Sequence, residues 1–286
     1  MRNIWIVLAL VAILLAAGTQ AHAALLIAGN TDGIIRDVDT SIPGDSFKYN
    51  LAIGVTGLAV DDANSILYGS GGGGAWNTLS VFDLATGAEL IDPGSRFVPP
   101  GYSEVYGLEF LYDETGTGRL FSIGIQDGKN HLIEYNLGAS GEAVSVKSVV
   151  AIVDTSGEQA VNMGNAAGLA FNTATGKFES NQSDNMYWEF DFTGEGTALG
   201  GLGLSGINGL GLGEDGTVYS LSAGHPTSVA IFSLGDPGNQ IAVATNAQVG
   251  NGWAFTGATT PVIPEPGTLS LVAGGLGLLA LLRRRR

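Results

Sequence analysis

The sequence predicts an all-β fold in which short repeated sheets close into a ring, and three observations predict it. A Gly-hydrophobic strand start occurs five times, as Gly57-Leu58-Ala59-Val60, Gly107-Leu108-Glu109-Phe110, Gly168-Leu169-Ala170-Phe171, Gly209-Leu210-Gly211-Leu212 and Gly252-Trp253-Ala254-Phe255. A second, alternating element also occurs five times, around Asp37, Asp83, Asn136, Asp191 and Ser233, with spacings of 46, 53, 55 and 42 residues. A mean period of 49 residues suits four short strands and their turns. The copies are also offset: the first copy of the second element precedes every copy of the first, and Gly252 to Phe255 has no partner after it. A ring accounts for the offset, because N-terminal strands then complete the blade that the C-terminal strand begins, and closure leaves no open sheet edge. The expected fold is therefore a five-bladed β-propeller closed by its N- and C-terminal strands, with an N-terminal signal helix and a C-terminal transmembrane helix outside the ring.

Each element follows from local chemistry. The second element reads Ile35-Arg36-Asp37-Val38, Val81-Phe82-Asp83-Leu84, Glu134-Tyr135-Asn136-Leu137, Glu189-Phe190-Asp191-Phe192 and Ile231-Phe232-Ser233-Leu234, an alternation suited to a pleated strand. Between the two elements lies a further strand in at least three units, at Ile66-Leu67-Tyr68, Arg119-Leu120-Phe121 and Thr217-Val218-Tyr219. The 45 glycines in 286 residues supply tight turns, and only 14% of residues are charged. A pair of β-sandwiches uses similar turns but does not require offset ends. The propeller likeness, of the WD40 or YVTN kind, is architectural and carries none of the strict Gly-His and Trp-Asp signatures of those repeats.

The two ends are addresses. Met1-Arg2-Asn3, the apolar run Ile4 to Ala17 and the A-x-A site Ala21-His22-Ala23 form a secretory signal peptide, residues 1–23. At the other end, Pro264-Glu265-Pro266 holds the backbone extended, Leu269 to Leu282 is a 14-residue apolar stretch, and Arg283, Arg284, Arg285 and Arg286 form a basic stop. At about 1.5 Å per residue that stretch covers roughly 21 Å of a ~30 Å hydrocarbon core, so the arginines snorkel or the bilayer thins. They stay cytoplasmic by the positive-inside rule, which leaves residues 24–260 outside.

This tail, residues 261–286, resembles the PEP-CTERM sorting signal of Gram-negative bacteria that make exopolysaccharide. The resemblance implies processing by an exosortase, an inner-membrane-anchored precursor, and transfer to the cell surface or the extracellular matrix of a biofilm. Signal peptidase and exosortase are the processing partners expected, the membrane is contacted through the C-terminal helix before processing, and extracellular polysaccharide is a candidate partner of the body.

For the body itself the sequence mostly excludes. Of 12 Lys and Arg and 27 Asp and Glu, Arg2, Arg283–Arg286 and Glu265 lie in the ends, so residues 24–260 carry 7 basic and 26 acidic side chains, a net −19. Such a surface repels nucleic acid. With no cysteine and only His131 and His225 in the body, disulfides, thiolate sites and three-histidine zinc sites are absent. Gly203-Leu204-Ser205-Gly206-Ile207 lacks the last glycine of a nucleophile elbow, and no phosphate-binding loop occurs. The positions expected around a central channel are Ala59, Glu109, Ala170, Gly211 and Ala254, a single carboxylate among small residues. That points away from an enzyme and towards a binding or structural protein, the alternative being an extracellular propeller enzyme acting on polysaccharide or lactone. No cofactor is expected. Calcium is the exception considered, at Asp37, Asp39 and Asp45, although Ile42 stands where an EF-hand needs glycine and a solvated hairpin explains the same residues. Asp61-Asp62-Ala63-Asn64-Ser65 is a second acidic cluster with good turn chemistry. Trp76, Tyr102, Tyr187 and Trp188 are candidates to stack on sugar faces, with at least one of Tyr187 and Trp188 expected in the core.

Overall fold

Alternating apolar side chains on strands broken every few residues by glycine turns produce, among the described residues, twenty strands in five sheets. The computed structural model describes residues 25–39, 45–71, 77–154, 168–181, 186–201, 207–212, 218–222, 228–233, 236–244 and 252–257. In chain order the strands are β1 (Leu25–Asn30), β2 (Ile34–Asp39) and β3 (Asp45–Asn50), then β4 (Val55–Asp61), β5 (Ile66–Gly71) and β6 (Thr78–Asp83). Next come β7 (Glu104–Tyr112), β8 (Gly118–Gln126), β9 (Lys129–Leu137) and β10 (Ala143–Ala151). They are followed by β11 (Val153–Asp154), β12 (Gly168–Asn172), β13 (Lys177–Asn181), β14 (Met186–Phe190) and β15 (Glu195–Gly201). The last are β16 (Ile207–Leu212), β17 (Val218–Ser222), β18 (Ser228–Ser233), β19 (Asp236–Ala244) and β20 (Gly252–Gly257).

Hydrogen bonding orders them as β20-β1-β2-β3, β4-β5-β6, β7-β8-β9-β10, β12-β13-β14-β15-β11 and β16-β17-β18-β19. The first strands of the five sheets neighbour one another in a closed circuit, β20 to β4 to β7 to β12 to β16 and back to β20. This is a five-bladed propeller. Its closure is the expected one, with β1 antiparallel to β20 and Leu26 opposite Gly257. The Gly-hydrophobic element forms every inner strand and the second element forms the third strand of every blade.

Strand alternation places the core between blades. Ile27, Ile35 and Tyr49 of blade one meet Val55, Leu58, Val60 and Phe82 of blade two. The opposite face of blade two, with Ala59 and Tyr68, meets Val105, Leu108 and Phe110 of blade three. Leu111, Phe121 and Ile123 on the far face of blade three pack on Leu169, Phe171, Phe178 and Phe190 of blade four. Period two thus sends neighbouring residues of one strand to two different cores.

The repeated glycine has a steric reason. A Cβ at Gly57 would lie 2.9 Å from the Gly107 nitrogen, one at Gly107 would lie 2.7 Å from the Leu169 nitrogen, and one at Gly168 would lie 2.2 Å from the Leu210 nitrogen. The inner strands β4, β7 and β12 therefore abut the backbone of the next at their glycines, and the ladder shifts register beside the glycine in β4, β7 and β16. At Gly107 the bulge comes with a φ of +45°, and it puts Val105 and Leu108 on the same face. Convergence on the axis thus falls on the glycines rather than on Ala59, which packs in the core between blades two and three.

Blade two lacks a regular fourth strand. Its outer edge is closed instead by isolated bridges from Leu79 to Phe97 and Phe82 to Glu89, around a 3-10 turn at Pro93–Ser95. Pro93, Pro99 and Pro100 cannot donate to a ladder, so side chains supplement these few backbone bridges. Glu89 forms a two-pronged pair with Arg96, at 2.6 and 2.7 Å, and accepts a hydrogen bond from Ser80.

The expected signal peptide, the sorting tail and the two helices expected in them lie outside the described residues. Among the described residues no helix is long and apolar enough to cross a membrane.

Candidate functional site

A cleft of about 550 Å³ opens between blades two and three, at the end of the ring where the inner strands finish. Three turns build it: β4 to β5, β7 to β8, and β9 to β10. In the first, Asp61 ends its strand and folds the chain back, Oδ1 accepting from the Asn64 backbone at 3.2 Å and Oδ2 from Asn64 Nδ2 at 2.8 Å. Tyr112, the last residue of β7, donates its hydroxyl to Asp61 Oδ1 at 2.5 Å and accepts from Asn64 Nδ2 at 3.2 Å. Asp61 is only 2% exposed, so this carboxylate is a buried tie between two blades whose oxygens are already committed.

The apolar wall is aromatic. Tyr68 stacks on Phe110 with ring centres 5.2 Å apart, and Phe110 meets Tyr112 edge-on at 5.4 Å. Opposite stands the turn Gly138-Ala139-Ser140-Gly141, closed by Gly138 N donating to the Glu142 carbonyl at 2.8 Å. Gly141 has a φ of +82°, and a Cβ there would come within 2.8 Å of Ile66 Cδ1 and 3.1 Å of the Tyr68 hydroxyl, so glycine keeps the floor open. Burial first, then the Asp61 charge, pushes the phenols of Tyr68 and Tyr112 up, so both remain protonated donors at any physiological pH. Among the described residues no Lys, Arg or His lines the cleft.

Other buried carboxylates lie elsewhere. Glu109 Oε2 accepts from the Phe171 backbone of the next inner strand at 3.1 Å, and burial without a cation pushes its pKa up to about 8. It is a tie between β7 and β12. Glu179, raised chiefly by burial, accepts from Asn172 Nδ2 at 2.7 Å and from the Tyr187 hydroxyl. Glu134 is equally buried but is met by Arg119 at 2.8 and 3.1 Å and by Lys147 at 2.8 Å. Burial raises its pKa, and these cations together outweigh that and hold it below the usual carboxylate range.

The residues singled out in the sequence are dispersed. Asp37 on β2 is paired with Lys48 Nζ at 2.9 Å, a partner that a calcium ion would have to displace. The side chains of Asp39 and Asp45 lie outside the described residues, as do Ala21, Ala23, Pro264, Glu265, Pro266, Arg283, Arg284, Arg285, Arg286 and Trp76. Among the described residues no group of three His, Cys, Asp or Glu side chains is placed to hold a metal. Tyr102 and Tyr187 are buried, which corrects their reading as sugar-stacking faces, and Trp188 is half-buried against the core of blades three and four. Glu109 sits between inner strands with its carboxylate on a backbone amide. The cleft residues Tyr68, Phe110 and Tyr112 carry no local signature; the turn chemistry of Asp61 to Ser65 is the one signal in the sequence that leads to this place.

No curated protein matches the chain. Solved structures resemble it at low identity, among them the following three. One, titled as a nidogen/laminin complex, is 14% identical over 77% of each chain, with a TM-score of 0.49. Another, the PQQ-bound aldose sugar dehydrogenase of Streptomyces coelicolor, is 13% identical over 62% of this chain and 58% of its own, with a TM-score of 0.45. A protein of unknown function from Bacteroides thetaiotaomicron is 11% identical over 77% of this chain and 55% of its own, with a TM-score of 0.44. The chain thus spans little more than half of the latter two. Residues 262–286 match the PEP-CTERM protein-sorting motif. That tail implies an exported protein, sorted by an exosortase from a membrane-anchored precursor.

Proposed function

We propose that this is an exported surface or matrix protein whose propeller, residues 24–260, plays a non-enzymatic binding or structural role after both ends are removed. In this reading signal peptidase reads Ala21 and Ala23 and releases residues 1–23. Residues 261–286 then hold the precursor in the inner membrane, with Arg283 to Arg286 on the cytoplasmic side, until the exosortase acts on Pro264-Glu265-Pro266. The body is delivered to the cell surface, where extracellular polysaccharide is its candidate partner. The match of residues 262–286 to the sorting motif carries the proposal. A rigid ring supports it, because blades that share cores present turns in fixed positions, as a binding scaffold requires.

The test separates a processing signal from a plain anchor. Replacing Pro264, Glu265 and Pro266 with alanine leaves the apolar run and the arginines intact. The expected result is full-length precursor accumulating in the inner membrane. Unchanged release of the body from this variant would overturn the proposal.

A further inference from the structure

We propose that the cleft between blades two and three binds a neutral pyranose unit of a saccharide chain, with the open edge of Tyr112 against the sugar face and Asn64 and Ser140 on its hydroxyls. The inference rests on the binding role proposed above and names the site and the chemical class of its ligand.

A sugar ring has an apolar face of C–H bonds and a polar rim, so its sites pair aromatic surface with neutral hydrogen-bonding groups. The cleft has both. Tyr112 is partly open to solvent at the cleft edge, held from behind by the core rings of Tyr68 and Phe110, and the exposed Leu90 adds apolar surface beside it. Asn64 and Ser140 are exposed on opposite turns. Asp61 holds both Asn64 and Tyr112 in place, which reduces the ordering cost of binding. The volume, about 550 Å³, lies within the range of roughly 300–1,000 Å³ usual for small-ligand sites.

Charge selects among sugars. Among the described residues the lining contains a carboxylate and no basic side chain, in a body of net −19, so uronate, sulfate and phosphate groups are repelled. A cation is disfavoured for a different reason: both oxygens of Asp61 already accept hydrogen bonds, and a metal would have to break three of them. What remains is a neutral, hydroxyl-rich ligand with an apolar face.

The experiment titrates the full chain in detergent with neutral gluco-, galacto- and manno-oligosaccharides and with oligouronates, reading saturation transfer and affinity by NMR. Binding is expected for at least one neutral series, and about tenfold weaker or absent for the uronates. Ser140→Trp fills the cleft from an exposed position, and Tyr112→Ala removes its aromatic edge. Each should weaken neutral-sugar binding about tenfold. Ser140→Trp should do so with an unchanged unfolding midpoint, which keeps the test valid if Tyr112→Ala unfolds. Equal affinity in Ser140→Trp, preference for uronates, or no sugar binding would each overturn the proposal. Release of Ser140→Trp to the surface is scored in parallel. Normal release with no sugar effect sinks the cleft and leaves the surface-sorting reading standing, whereas failed release of the unmodified chain sinks that reading itself.

Discussion

Two carboxylates of blade three, Glu109 on the inner strand and Glu134 two strands further out, have the same 5% exposure and opposite ionisation. Near the axis the neighbours are other inner strands, packed so closely that glycine is required, and Glu109 is met by the backbone amides of Phe171 and Phe110 rather than by a cation. Its acid form is favoured. On the outer side Arg119 and Lys147 reach Glu134 from β8 and β10, and the ionised form is favoured. Surface exposure is equal in the two places, but Glu109 lies deeper and has no cation in reach among the described residues, so depth and access for long cationic side chains together decide charge state. The axis is built by steric closeness and the outer belt by electrostatics, as the Glu89–Arg96 pair at the edge of blade two also shows.

The largest effect that could break this contrast is steric. Gly168→Ala places a methyl 2.2 Å from the Leu210 nitrogen and 2.6 Å from the Gly209 carbonyl carbon, and both neighbours are backbone. The expected loss is about 3 kcal/mol in chemical unfolding. Gly116→Ala, on an exposed turn with φ +77° and nothing within 4 Å, should cost about 1 kcal/mol from conformation alone. Equal costs would mean that the axis is not the sterically critical region.

A smaller effect sharpens the electrostatic half. Glu109 binds its proton more tightly folded than unfolded, so its contribution to stability is complete below about pH 4.5 and is lost as pH rises towards 8. Glu109→Gln, which cannot ionise, should flatten that decline and at pH 9 exceed the unmodified protein by on the order of a few kcal/mol. Glu134 has the opposite sign. Its contribution is present above the ordinary carboxylate pKa and lost as pH falls through its lowered value, so Glu134→Gln should destabilise by about 2 kcal/mol at neutral pH and less in acid. Unfolding free energies of the two variants from pH 4 to 9 give the comparison; parallel curves would contradict it.

Much of the fold was legible because its cause is local. The inner-strand glycine and the alternating third strand repeat within each blade, and the offset of their copies required the closure that β1 and β20 make. The reason for the glycine was not legible, since contact with the next inner strand arises only when blades converge. Nor was the loss of a regular fourth strand in blade two, although Pro93, Pro99 and Pro100 mark where it fails. The cleft was the least legible feature. Asp61 and Tyr112 are 51 residues apart and meet only because adjacent blades pack, while Asp61 to Ser65 alone reads as an ordinary turn. Tyr102 and Tyr187 also misled: Tyr102 precedes β7 yet lies in the core between blades two and three, and Tyr187 is buried with its hydroxyl on Glu179 of the neighbouring strand.

The account depends most on the tail, and the most direct measurement is the intact mass of surface-released protein from strains with and without the exosortase. The predicted species begins at Ala24 and lacks Leu269 to Arg286, and it disappears when the enzyme is absent. A released species that still carries Leu269 to Arg286, or release that persists without the enzyme, would contradict the account.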